Sequence, residues 1–141
     1  VPVPHDAKEP CQYVFEHGQR RAGVLTDLGC ITGQVVESYQ ECDGLVLEAN
    51  HDLEMLANGP YPPSLKRRVG GQLGHLNNRQ SAALIAQVNH DRLQHLVMSH
   101  LSEQNNSPER VIEAVQEVLP NGHERITIAS QSNGFGWLAL D

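Results

Sequence analysis

Imidazoles and carboxylates recur in this chain at the places where α/β proteins put their chemistry. His5 lies in Pro4-His5-Asp6-Ala7, ahead of a first stretch rich in β-formers, and Asp27 closes a second in Thr26-Asp27-Leu28-Gly29. Asn50-His51-Asp52 follows the apolar run at 44–49 directly, and His100 follows another at 93–98. In α/β sheets, ligand sites collect at the loops beyond the carboxyl ends of the strands. A carboxylate and imidazoles gathered there suit Zn²⁺ or Mn²⁺, which accept mixed nitrogen and oxygen ligands. Eight histidines in 141 residues is a generous supply of the commonest metal ligand. Each residue also has a plainer reading. A strand-end Asp often makes a turn, and a loop His is often only solvated. The dense basic cluster Lys66-Arg67-Arg68 could hold phosphate groups or form a solvated turn.

The elements that would position these residues alternate along the chain. Residues 11–16 and 21–27 are β-rich and separated by a turn at His17-Gly18-Gln19, which predicts a hairpin. Thr32 can cap a helix running to about Tyr39, and the apolar run at 44–49 reads as a strand covered on both faces. Residues 58–77 read as irregular, because Pro and Gly are dense there. Asn77 with Gln80 forms a capping-box pattern before an apolar-faced helix, and 93–98 is the next strand. Ser107-Pro108 starts a helix through Val118, and strands are expected at 125–129 and 136–140. Such alternation predicts an α/β (α+β) domain over residues 1–141, a mixed sheet with flanking helices.

Composition narrows the classes. The apolar fraction is 39%, and no apolar run approaches the ~18 residues that cross a membrane. The formal charge of −7 argues against a broad electrostatic grip on nucleic acid. Cys11, Cys30 and Cys42 form no close motif, so a reducing cytoplasm and small buried thiols are expected. Val1-Pro2-Val3-Pro4 has neither the basic nor the apolar region of a signal peptide and reads as a strand entered from elsewhere.

His5 and Asp27, as spaced in VPVPHDAKEP…GVLTDLG, resemble the third and fourth metal-ligand motifs of the metallo-β-lactamase-fold hydrolases. The likeness is to the nucleic-acid-processing branch that includes ribonuclease J and ribonuclease Z. LVLEANHDLEMLANGPYPPSLKRRVGGQLGHLNN and VMSHLSEQNNSPE are closer still to a bacterial cytoplasmic, exonuclease-like subgroup encoded beside a cell-wall two-component system.

The resemblance implies half of an αββα sandwich and a site for a pair of divalent ions, zinc or manganese. In it, His5 binds the first ion, Asp27 bridges, and His100 binds the second. His75, in Gly74-His75-Leu76-Asn77, resembles the non-ligand catalytic histidine of that branch. Asn50 and His51 would line the substrate site or support the ligands, and Lys66, Arg67 and Arg68 would hold substrate phosphates. The implied reaction is hydrolysis of a phosphodiester in nucleic acid, with 5′-to-3′ exonuclease action on DNA, by hydroxide that the metals activate.

The family's first signature, His-x-His-x-Asp-His, does not occur in this sequence. It belongs to the N-terminal half, so the chain is expected to be the C-terminal half, inactive and a poor metal binder alone. An exposed apolar sheet face, covered by a second copy in a homodimer or by a swapped strand, is also expected. Other readings are a lactone or thiolester hydrolase on the same fold, or a binding module without chemistry.

Overall fold

The apolar runs become the middle of a five-stranded sheet, and the capped segments between them become its helices. The structure, a computed structural model, describes residues 1–141 apart from the side chain of His123. Strands β1 (Tyr13–His17) and β2 (Arg20–Leu25) form the hairpin, antiparallel through Tyr13–Val24 and His17–Arg20. Gly18 stands at the turn with φ 60°, a left-handed conformation that glycine adopts without strain. Strands β3 (Gly44–Glu48), β4 (His95–Ser99) and β5 (Ile126–Ile128) add in parallel, in the order β1-β2-β3-β4-β5.

The connections hold helices α1 (Gly33–Tyr39), α2 (Leu53–Asn58), α3 (Pro63–Val69), α4 (Asn78–Val88) and α5 (Pro108–Val118). Thr32, Asn77 and Ser107 cap α1, α4 and α5 as their side-chain chemistry predicts, and the capping box of Asn77 with Gln80 is complete. Segment 58–77 is less irregular than its composition implies. Asp52 caps α2, and Pro63 occupies the first turn of α3, where a missing N–H costs nothing.

One face of the sheet is dry. Leu25, Leu45, Leu47, Leu96 and Met98 pack with Val35, Tyr39, Leu84, Ile85, Val111 and Val115 from the helices. Burying a side chain of this size contributes about 1.5–3 kcal/mol, which makes this layer the rigid base of the molecule. The opposite face carries Ala22, Val24, Gly44, Val46 and Val97, with Phe135, Leu138 and Leu140 from the C-terminal segment over it.

Residues 136–140, expected as a closing strand, are not one. Their backbone bonds go to side chains instead: His95 Nε2 donates to Ala139 O at 2.8 Å, and Gln94 brackets Asp141. Trp137 is fully exposed. Of the cysteines, Cys42 is buried as expected, but Cys11 is exposed and Cys30 only half-buried, because Cys11 precedes the edge strand of the sheet. Among the described residues, no helix is long and apolar enough to cross a membrane.

Candidate metal centre

Parallel pairing aligns the carboxyl ends of β2, β3 and β4, and the register places Leu25 beside Leu47 and Glu48 beside Ser99. The residues just past these ends meet. Asp27 and His100 both adopt left-handed backbone, with φ 55° and 58°, which turns each chain sharply as it leaves its strand. His75 arrives from the loop between α3 and α4. A Cβ at Gly74 would run into the carbonyls of Arg68 and Val69, so the close turn before His75 requires glycine.

The side chains converge on one carboxylate oxygen. Asp27 Oδ1 lies 3.9 Å from His5 Nε2, 3.7 Å from His100 Nε2 and 3.8 Å from His75 Nδ1. The three rings are neighbours, with centroids 5.2 Å apart from His5 to His75 and from His75 to His100. Asp27, Glu48, His75 and His100 each offer a ligand atom, and these atoms lie within 4.8 Å of one another.

Glu48 was not among the residues singled out from sequence, yet it organises the site. The last residue of β3, it has no exposed surface. Its Oε1 accepts from His75 Nδ1 at 2.6 Å and from His100 Nδ1 at 2.7 Å, while Oε2 faces the backbone N–H groups of Leu28 and Leu76. Burial alone would raise its pKa, but the bonds from His100 and His75 and their charges outweigh that and hold it below the usual value. An ionised carboxylate only accepts, so both rings must donate from Nδ1 and carry their lone pairs on Nε2. His5 reaches the same state by donating Nδ1–H to Gly74 O at 3.0 Å.

Three imidazoles thus have Nδ1 tied to an oxygen and Nε2 released. That is how metal-binding histidines are oriented. Two donor atoms sharing an ion at bonds of ~2.0–2.2 Å sit roughly as far apart as Asp27 Oδ1 and the Nε2 atoms of His5 and His100. The donor set fits a divalent cation. The signal in the sequence was Glu48 itself, a carboxylate ending an otherwise apolar run, where a charge survives burial only if paired.

The remaining candidates lie around this centre. Asn50 is half-buried, with both amide ends committed: Nδ2 donates to His100 O at 3.1 Å, and Oδ1 accepts from His51 Nδ1 at 3.3 Å. His51 is enclosed, and burial pushes its pKa down to about 4, so the ring is neutral. In α3, Arg68 pairs with Asp6 at 2.5 Å on the wall of the cleft that holds His5, Asp27, His75 and His100. Lys66 points away, donating to Ala57 O, and Arg67 is exposed outside that cleft.

No family model matches the chain. Its sequence is 38% identical over 117 residues to exodeoxyribonuclease YycJ of Bacillus anthracis, covering 83% of this chain and 44% of that protein. It is 36% identical over 107 residues to exodeoxyribonuclease WalJ of Streptococcus pneumoniae, covering 76% of this chain and 40% of the relative. The chain therefore spans less than half the length of the relatives it matches.

Solved structures share the backbone. The metallo-β-lactamase fold protein YhfI of Bacillus subtilis superposes over 97% of this chain and 47% of its own, with a TM-score of 0.66 and 15% identity. Zn²⁺-bound PqqB of Methylobacterium extorquens covers 88% of this chain and 42% of its own, at 0.56 and 18%. A diphosphatase of the PhnP family covers 96% and 40%, at 0.54 and 22%.

Proposed function

We propose that this chain, which has the metallo-β-lactamase fold and is related in sequence to the YycJ and WalJ exodeoxyribonucleases, is the C-terminal half of a metal-dependent phosphodiesterase that degrades DNA from its 5′ end. The observation that carries this reading is the set of imidazoles, each fixed through Nδ1, around the single carboxylate oxygen of Asp27. His5, Asp27 and His100 would hold divalent metal, zinc or manganese, as a pair of ions. The further ligands would come from the part of the protein outside this chain, so the 141-residue piece alone would be inactive. Bound metal supplies Lewis acidity, which brings the pKa of a coordinated water near neutrality and stabilises charge on a phosphoryl oxygen.

The chain's own residues do the rest. His75 carries a proton on Nδ1 against Glu48, and the residue lines both clefts that meet at the site. Once a second proton is added on Nε2, the charged ring, steadied by the buried carboxylate at Nδ1, would donate that proton to the leaving oxygen. General acid catalysis of this kind contributes about 10²–10⁴ in rate. Arg68, on the same wall, would bind a substrate phosphate once released from Asp6. Asn50 supports the ligand loop by donating to the carbonyl of His100, and His51 holds Asn50 in turn. The three unpaired cysteines suit a reducing cytoplasm.

The test is an assay of the longer protein with Mn²⁺ on single-stranded DNA and, in parallel, on a lactone. Cleavage of DNA from the 5′ end, lost in Asp27→Asn and reduced about 10²–10⁴-fold in His75→Ala, is expected. Turnover of the lactone alone would overturn the reading.

A further inference from the structure

Two clefts meet at His75 and His100, and their linings differ in charge. The metal-side cleft, about 350 Å³, holds Arg68 with His5 and Asp27. The second, about 360 Å³, lies across Val69 and is walled by Tyr61, Ser102, Glu103, Gln104 and Gln131. No Lys or Arg lines it.

We infer that this second cleft binds a single uncharged nucleoside, the one attached to the phosphate being cleaved; this rests on the phosphodiesterase reading above. A phosphate beside the carboxylate of Glu103 would meet no Lys or Arg among the described lining residues, whereas a sugar hydroxyl can donate to that carboxylate. Tyr61 is half-buried, with no hydrogen-bond partner among the described residues, and offers a ring for a base to stack upon.

The polar groups around it keep unused capacity. Gln131 donates Nε2–H to Leu101 O at 3.2 Å, which fixes the amide and leaves its oxygen to accept from a base edge. Ser102 Oγ accepts from Asn105 N at 3.1 Å and from Asn105 Nδ2 at 3.3 Å, which leaves its own proton to give. Gln104 is exposed and unpartnered among the described residues. Polar groups of both signs, one aromatic face and a volume at the low end of ligand pockets fit one nucleoside, not a duplex. Because His75 and His100 line both clefts, a nucleoside here adjoins the metal centre.

The experiment is titration of the protein with thymidine, deoxyadenosine and inorganic phosphate, followed by amide NMR and repeated for Tyr61→Ala and Gln131→Ala. Both nucleosides should shift the amides of Tyr61, Ser102, Gln104 and Gln131, and phosphate should not. Tyr61→Ala should weaken nucleoside binding about 5- to 150-fold, the range for loss of one base–aromatic stack. Gln131 is exposed, so its variant remains folded and should weaken binding by a smaller factor. Absence of nucleoside shifts in the cleft, unchanged affinity in both variants, or phosphate shifting the same amides would overturn the inference. Nucleoside binding without DNA cleavage by the longer protein would count against the phosphodiesterase reading alone. DNA cleavage without nucleoside binding would sink only the cleft.

Discussion

Strand β3 has a buried carboxylate at each end, and the two are held in different ways. Asp43, just before the strand, and Glu48, its last residue, both have no exposed surface. Asp43 accepts from the backbone N–H of Arg21 at 2.8 Å and from the Arg20 guanidinium at 3.3 Å. Glu48 accepts from two imidazoles. Arginine keeps its proton throughout the accessible pH range, so the Asp43 end is a fixed structural joint. A histidine that gives one N–H to a carboxylate retains a lone pair on its other nitrogen, so the Glu48 end holds its partners and presents them to something else. The two ends of one strand show that burial of an acid says little by itself. The chemistry of its partners separates scaffold from site.

The sharpest way to break this contrast is Glu48→Gln. However the amide is turned, its NH₂ faces an N–H donor, from either the imidazoles or the amides of Leu28 and Leu76. Zinc or manganese affinity of the longer protein should fall about 10–100-fold, as for loss of other groups that orient metal ligands, and calorimetry would read it. Asp43→Asn poses the same steric problem at the other end but should leave metal affinity unchanged. It should lower stability by about 1–3 kcal/mol in urea unfolding. Equal metal losses in both variants would erase the distinction.

A pH series sharpens it further. The backbone bond from Arg21 lowers the pKa of Asp43 most, against the opposing effect of burial, and the Arg20 side chain adds to the lowering. The unfolded chain therefore binds a proton there more readily than the folded one. The stability this gives is complete above the ordinary carboxylate range and is lost as pH falls through the folded value. Acid unfolding should be less steep in Asp43→Asn than in the native chain. A smaller effect is expected at Asn77, whose capping box starts the helix after His75. Asn77→Ala should cost about 1 kcal/mol in the same unfolding assay. The smallest is at Lys66, already engaged with Ala57 O, where Lys66→Ala should change DNA binding less than Arg68→Ala does.

Much of this was legible in the sequence because the signals are local. Caps at Thr32, Asn77 and Ser107 announce their helices, and the apolar run at 44–49 announces a central strand. The grouping of His5, Asp27, His75 and His100 followed from a motif resemblance, and parallel strand register aligns the strand ends that precede Asp27 and His100. Helix α3 was hidden because Pro62-Pro63 reads as a breaker, although proline in a first turn starts a helix. Glu48 was hidden because its partners lie 27 and 52 residues away, a pairing that no local pattern encodes.

The central claim is that Glu48 fixes the tautomers of His75 and His100, and ¹⁵N imidazole NMR of this chain at mildly alkaline pH tests it most directly. Both rings should carry their proton on Nδ1, with an unprotonated Nε2, and Glu48→Gln should scramble that state. An Nε2–H tautomer at either ring of the native chain would contradict it.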